Sequence, residues 1–136
     1  MSGVLYILRG VPGCGKSTLA KNLSGGTGVI CEADNYFVSD VDGIYRFDQK
    51  KLGLAHGWCK DICRNALESK IPVVVVSNTN VNPKDFAAYK DMAVAAGYQI
   101  FVLVVENRHG GTNEHEVPEE TLQRMEDTLS KSIKLR

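Results

Sequence analysis

The residues best suited to chemistry are Gly10-Val11-Pro12-Gly13-Cys14-Gly15-Lys16-Ser17, a glycine-rich run closed by a lysine and a hydroxyl residue. The spacing Gly-x4-Gly-Lys-Ser is that of a phosphate-binding loop. The glycines let the backbone turn so that successive N–H groups point at phosphate oxygens. Lys16 supplies a mobile cation for the β- and γ-phosphates, and Ser17 offers a hydroxyl to Mg2+. The N-terminus of the helix that must follow adds its positive dipole. The expected nucleotide-binding set is Gly10, Pro12, Gly13, Cys14, Gly15, Lys16, Ser17 and Thr18, with ATP and Mg2+ as cofactors and Ser17 as the metal-side residue. The Cys14 side chain is expected to point away from phosphate.

Phosphoryl transfer also needs an acceptor hydroxyl, a base for its proton and cations around the moving phosphoryl group. Asp34, in Cys31-Glu32-Ala33-Asp34-Asn35-Tyr36, is the best base candidate. Its competing roles are a ligand to a metal-bound water and a helix cap. Glu32 is the second candidate, because alternation places it on the same side. Many phosphate-loop proteins carry an acid after the third strand, where this chain has Ser77 and Asn78. Asn78 and Thr79 are candidates for positioning the γ-phosphate or the acceptor, or form a plain strand-end turn. Arg108 is the candidate cation of a polar segment, 106–117, placed to close over the phosphates as a lid. Arg124 is a further candidate. Tyr36 and Tyr45 are candidates for stacking on a base, whereas Trp58 lies on an apolar helix stripe and is expected in the core.

These residues need a scaffold, and the apolar patterning supplies one. Val4–Leu8, Val29–Cys31, Val73–Val76 and Tyr98–Val105 read as strands. Val73–Val76 is apolar at every position, as in a strand covered on both faces. Helices are expected over Lys16–Leu23, over Gln49–Ser69 behind an Asp48 cap, from Pro83 to about Ala96 behind an Asn82 cap, and from Pro118 onward. In the last of these, Leu122, Met125, Leu129 and Ile133 line one side. Strands alternating with helices make β-α-β units, and right-handed crossovers put helices on both faces. Ligands then sit beyond the C-terminal ends of the strands. The glycine loop, Asp34, Asn78 and the lid segment all fall there.

The chain has 136 residues, Lys+Arg 16 balanced by Asp+Glu 16, and 43% hydrophobic residues. That fits one domain over 1–136 with a real core. Zero formal charge argues against an extended non-specific DNA-binding surface and leaves room for a local basic patch. Cys14, Cys31, Cys59 and Cys63 contain no CxxC pair. A zinc site would need a second ligand pair near Cys59, Cys63 and His56, so buried free thiols in a reducing compartment are the expectation. No signal-like leader or membrane-length apolar run is present. A cytoplasmic location without membrane contact is expected.

Three blocks, Arg9–Ala20, Ala33-Asp34-Asn35-Tyr36-Phe37 and Ser77-Asn78-Thr79-Asn80-Val81-Asn82-Pro83, resemble the polynucleotide 5′-hydroxyl kinase-like P-loop proteins. That family includes the phage polynucleotide kinase domain and the kinase-like domain of NEDD4-binding protein 2. The resemblance covers nearly the whole chain. It implies an α/β fold, a P-loop kinase-type three-layer sandwich of about four parallel strands with helices on both faces. It also implies transfer of the γ-phosphate of ATP to a hydroxyl of nucleic acid, either a 5′ end or the hydroxymethyl group of a modified pyrimidine in DNA. Asp34 matches the family's base. Phe37 stands where the phage enzyme has an arginine that grips the acceptor phosphate, and Asn78 replaces an aspartate. Thr112 matches the usual lid arginine, with Arg108 four residues earlier as its substitute. A small-molecule kinase acting on a nucleoside or sugar, and a nucleotide-binding module without transfer, are the alternatives.

Overall fold

The computed structural model describes residues 3–106 and 117–133. Four strands, β1 (Val4–Arg9), β2 (Val29–Cys31), β3 (Val73–Val76) and β4 (Gln99–Val104), form one sheet in the order β2-β3-β1-β4. Every pairing in it is parallel. Among the described residues four α-helices accompany them: α1 (Lys16–Ser24), α2 (Leu52–Glu68), α3 (Pro83–Ala95) and α4 (Glu119–Ser132). The chain moves from β1 to β2 in one direction across the sheet, then back through β3 to β4. With right-handed crossovers, that reversal sends α1 to one face and α2 and α3 to the other.

Side-chain alternation agrees. Leu5, Ile7, Cys31, Val74 and Val76 pack with α2 and α3, while Tyr6, Leu8, Ile30, Val73 and Val75 pack with Leu19, Ala20 and Leu23 of α1. The unbroken apolar runs of β1 and β3 follow from both faces being covered at the centre of the sheet. Val74, Val75 and Val76 are fully buried, each contributing about 1.5–3 kcal/mol. The four-stranded sheet with helices on both sides is the expected α/β P-loop arrangement.

The helix starts also follow the sequence. Asp48 accepts a hydrogen bond from the Lys50 N–H at 3.0 Å and caps a short 3₁₀ turn, Gln49–Lys51, that leads into α2. Asn82 and Asp85 form a reciprocal capping box at α3 with Pro83 in its first turn. Residues 101, 102 and 104 of the edge strand β4 are partly open. Two details differ from expectation. Trp58 is 36% exposed at the rim of the α2 stripe, where it packs edge-on against Tyr36. Ile133 lies just past the end of α4, so Leu129 is the buried residue of that helix. No helix among the described residues is long and apolar enough to cross a membrane.

Candidate active site

The loop between β1 and α1 is held from below. Arg9 is buried, and its guanidinium donates to the Asn80 carbonyl at 2.8 Å, the Val81 carbonyl at 3.1 Å and the Ser132 hydroxyl at 2.6 Å. It lies over the Phe86 ring, 5.0 Å from the centroid. Burial lowers the Arg9 pKa from its ordinary value, and the charge of Asp85 opposes that shift. The turn after β3 answers from the other side: the Asn80 side chain donates to the Leu8 carbonyl at 2.8 Å, and the Gly10 N–H donates to the Thr79 carbonyl at 3.0 Å. Thr79 and Asn80 therefore brace the loop through backbone and buried contacts.

Two glycine requirements can be read off the loop. Gly13 and Gly15 have φ of 86° and 101°, in the left-handed region that side chains with a Cβ avoid. A Cβ on Gly10 would lie 2.5 Å from Cys14 Sγ and 2.8 Å from the Val105 carbonyl oxygen. Cys14 is buried, with its Sγ 3.7 Å from the Lys16 ammonium. No side chain caps the first turn of α1, which leaves its N–H groups available to an anion. Lys16 folds back on the loop, with Nζ 3.1 Å from the Val11 carbonyl. Ser17 and Thr18 are exposed at the mouth.

The acceptor side is built on β2 and the 3₁₀ helix that follows it, Ala33–Phe37. Glu32 continues the β2 alternation onto the α1 face, and its carboxylate accepts from the Ser17 hydroxyl at 3.5 Å. Asp34 is half-buried in the first turn of the 3₁₀ helix, where Tyr45 donates a hydrogen bond to its carboxylate. Burial, the Asp34 charge and this bond push the Tyr45 hydroxyl up to about 12, so it remains a donor throughout the neutral range. Tyr45 reaches Asp34 because the chain doubles back: Val38 and Tyr45 form an antiparallel bridge, and the Arg46 N–H donates to the Phe37 carbonyl at 2.9 Å.

The Asn78 side chain is engaged within the fold. Its Oδ1 accepts from the Ala33 N–H at 2.8 Å, and its Nδ2 donates to Cys59 Sγ at 3.7 Å. It ties the 3₁₀ helix carrying Asp34 to β3 and α2. Ser77 occupies the strand end itself. It is 2% exposed, on the α1 face by alternation with Val73 and Val75, and its hydroxyl has no partner among the described residues.

The structure thus brings Lys16, Ser17, Glu32, Asp34 and Ser77 to the C-terminal ends of β1, β2 and β3. Glu32 beside Ser17, and Tyr45 behind Asp34, are the contacts the sequence reading did not assign. The Asp42-Gly43 pair was the available signal for the second, being a turn dipeptide that brings Tyr45 back. Arg108 and all of the lid segment except residues 106 and 117 lie outside the described residues. Arg124 is exposed on α4. All four cysteines are free and buried, and no cluster of three or more His, Cys, Asp or Glu side chains suited to a metal occurs among the described residues. A cavity of about 670 Å³, lined by Gly3, Pro72 and Gly97 among others, lies at the opposite ends of the strands and contains none of these groups.

The family description "AAA domain" matches residues 5–131. Human NEDD4-binding protein 2 is 38% identical over 99 residues, which cover 71% of this chain and 6% of that protein. The chain thus spans a small fraction of that relative's length. Among solved structures, an APS kinase of Mycobacterium tuberculosis in complex with AMPPNP and APS superposes with a TM-score of 0.54 at 15% identity, covering 90% of this chain and 68% of that one. A sugar kinase from Janibacter sp. HTCC2649 gives a TM-score of 0.59 at 18% identity, covering 98% and 80%. These two likenesses show the shared fold. With loop, sheet order and family match in agreement, the chain belongs to the AAA domain family, in the P-loop kinase-like group that its sequence blocks resemble.

Proposed function

We propose that this chain transfers the γ-phosphate of ATP to a hydroxyl of nucleic acid, a 5′-hydroxyl end or the hydroxymethyl group of a modified pyrimidine in DNA. The observation that carries the reading is Asp34, held by Tyr45 on the acceptor side of a complete phosphate loop. A carboxylate oriented by a neutral donor is positioned as a general base must be. In the transfer, Asp34 accepts the proton of the acceptor hydroxyl, whose oxygen forms a bond to the γ-phosphorus. The bond from that phosphorus to the β–γ bridging oxygen breaks, and ADP leaves. Lys16 moves from the Val11 carbonyl to the β- and γ-phosphates, and Arg108 neutralises charge on the phosphoryl group.

The residues fit Mg2+. Ser17 and Glu32 present adjacent oxygen donors, and the orphaned, buried Ser77 hydroxyl faces the same side. An all-oxygen set completed by phosphate and water suits a hard cation. Ser17 and Glu32 would hold the ion, which supplies charge neutralisation at the β- and γ-oxygens. Glu32 then does the work of the acid missing after β3.

A small-molecule acceptor is the second reading. It is favoured by Phe37, buried where the phage enzyme's acceptor-gripping arginine stands. Incubation with γ-labelled ATP, 5′-hydroxyl and hydroxymethyl-pyrimidine oligonucleotides, nucleosides and sugars separates them. Label in an oligonucleotide supports the first reading, and label in a metabolite alone supports the second. Label released solely as free phosphate refutes both.

A further inference from the structure

Beside the 3₁₀ helix of Asp34 lies an open groove of about 470 Å³, lined by Tyr36, Phe37, Arg46, Phe47 and Lys51 among others. We propose that it is the track for the acceptor strand, a single-stranded nucleic acid segment whose bases stack on Phe47 and whose phosphates meet Arg46 and Lys51. The inference rests on the nucleic-acid reading above and names the surface that would carry it.

The groove combines two features. The first is a rigid aromatic platform. Phe37 is buried and acts as a hub, with Phe47 edge-on at 5.1 Å, Tyr36 at 5.5 Å and Tyr45 at 6.3 Å. Phe47 nonetheless remains 51% exposed. A ring fixed from behind and open in front is what base stacking needs, and it is indifferent to sequence. The second feature is charge. Arg46 and Lys51 are exposed cations on the groove wall. Of the carboxylates, Asp48 is turned to the Lys50 N–H as a cap, and Asp42 pairs with Arg46 at 2.8 Å. That ion pair is solvent-exposed, with side chains 60% and 39% accessible, so a phosphate can compete for the guanidinium. The chain's zero net charge is thereby compatible with a short, local basic track.

Position supports the assignment. Tyr36 follows Asp34 by two residues of the same 3₁₀ helix, about 4 Å along its axis. A strand whose terminal hydroxyl lies at Asp34 has its following nucleotides at the groove. Phe37 cannot grip the first phosphate, and Arg46 and Lys51 supply cations further along instead.

The test is fluorescence polarisation of a labelled single-stranded 10-mer with the full chain and a non-hydrolysable ATP analogue, across a salt series. Phe47→Ala is expected to weaken binding about tenfold. Arg46→Ala is expected to lower the slope of log affinity against log salt by about 0.7. Asp42→Asn frees Arg46 and is expected to tighten binding, a sign that general damage to the loop does not produce. Binding no tighter than that of a mononucleotide, or unchanged affinity and salt slope in Arg46→Ala, overturns the inference. Binding with these variant effects but without phosphoryl transfer leaves the groove standing and removes the transfer reading. Oligonucleotide phosphorylation with an unaltered KM in Phe47→Ala and Arg46→Ala does the reverse.

Discussion

Asn78→Ala tests how Asp34 is held in place. Asn78 bonds the Ala33 N–H at 2.8 Å and reaches Cys59 Sγ at 3.7 Å. Truncation leaves the part-buried Ala33 amide without its acceptor, a loss of about 1–3 kcal/mol. For a chain of this size that is a fall in Tm of roughly 4–12 °C. The kinetic effect has a distinct pattern. The phosphate loop is braced separately, through Thr79, Asn80 and Arg9, so KM for ATP stays near the wild-type value. The 3₁₀ helix loses its tie to β3, and a displacement of about 1 Å at the base costs roughly a hundredfold in kcat. Asn78→Asp keeps an acceptor for Ala33 and loses the donor to Cys59, so it melts closer to wild type than the alanine variant. Thermal melts followed by circular dichroism and steady-state kinetics at varied ATP read both effects. A Tm within a degree of wild type together with an unchanged kcat refutes the bracing role. A loss confined to KM for ATP would move Asn78 to the nucleotide side.

Two further predictions follow from contacts in the site. Gly10→Ala places a Cβ 2.8 Å from the Val105 carbonyl oxygen as well as 2.5 Å from Cys14 Sγ. Because a backbone atom is involved, Cys14→Ala does not rescue it, and calorimetry should show ATP affinity at least about tenfold weaker in both the single and the double variant; wild-type affinity contradicts the packing account. Tyr45 titrates at about 12 against an ordinary 10.0, so between those values the folded chain holds a proton that the unfolded chain has lost. Stability from this group is complete below pH 10 and is lost as pH rises through that window. Tyr45→Phe should lose less stability than wild type between pH 10 and pH 12 in urea titrations, and identical pH curves contradict the burial of Tyr45 beside Asp34.

Much of this was legible in the residues. The glycine loop, the caps at Asp48 and Asn82 and the all-apolar Val73–Val76 run each have a local cause, so the α/β frame could be read directly, whereas the 3₁₀ helix that carries Asp34 could not. What escaped was set by contacts far apart in sequence. Tyr45 meets Asp34 only because the segment after Phe37 doubles back through Asp42-Gly43. Sequence alone makes Asn78 a candidate for phosphate contact, yet the parallel pairing of β2 with β3 hands its side chain to Ala33, 45 positions away. Trp58 fits the α2 repeat, but Tyr36 holds it at the rim. Periodicity assigns a residue to a face, while the edge of that face depends on what packs against it.

The central claim is that Asp34 takes the acceptor proton in a chain that binds ATP independently of it. The most direct measurement is the Asp34→Asn variant, assayed for ATP binding by calorimetry and for transfer of labelled γ-phosphate to an oligonucleotide. The account predicts ATP affinity equal to or tighter than wild type, because a negative charge near the phosphates is removed, with transfer reduced roughly 10²–10⁴-fold. Transfer at the wild-type rate by a variant that binds ATP normally would contradict it.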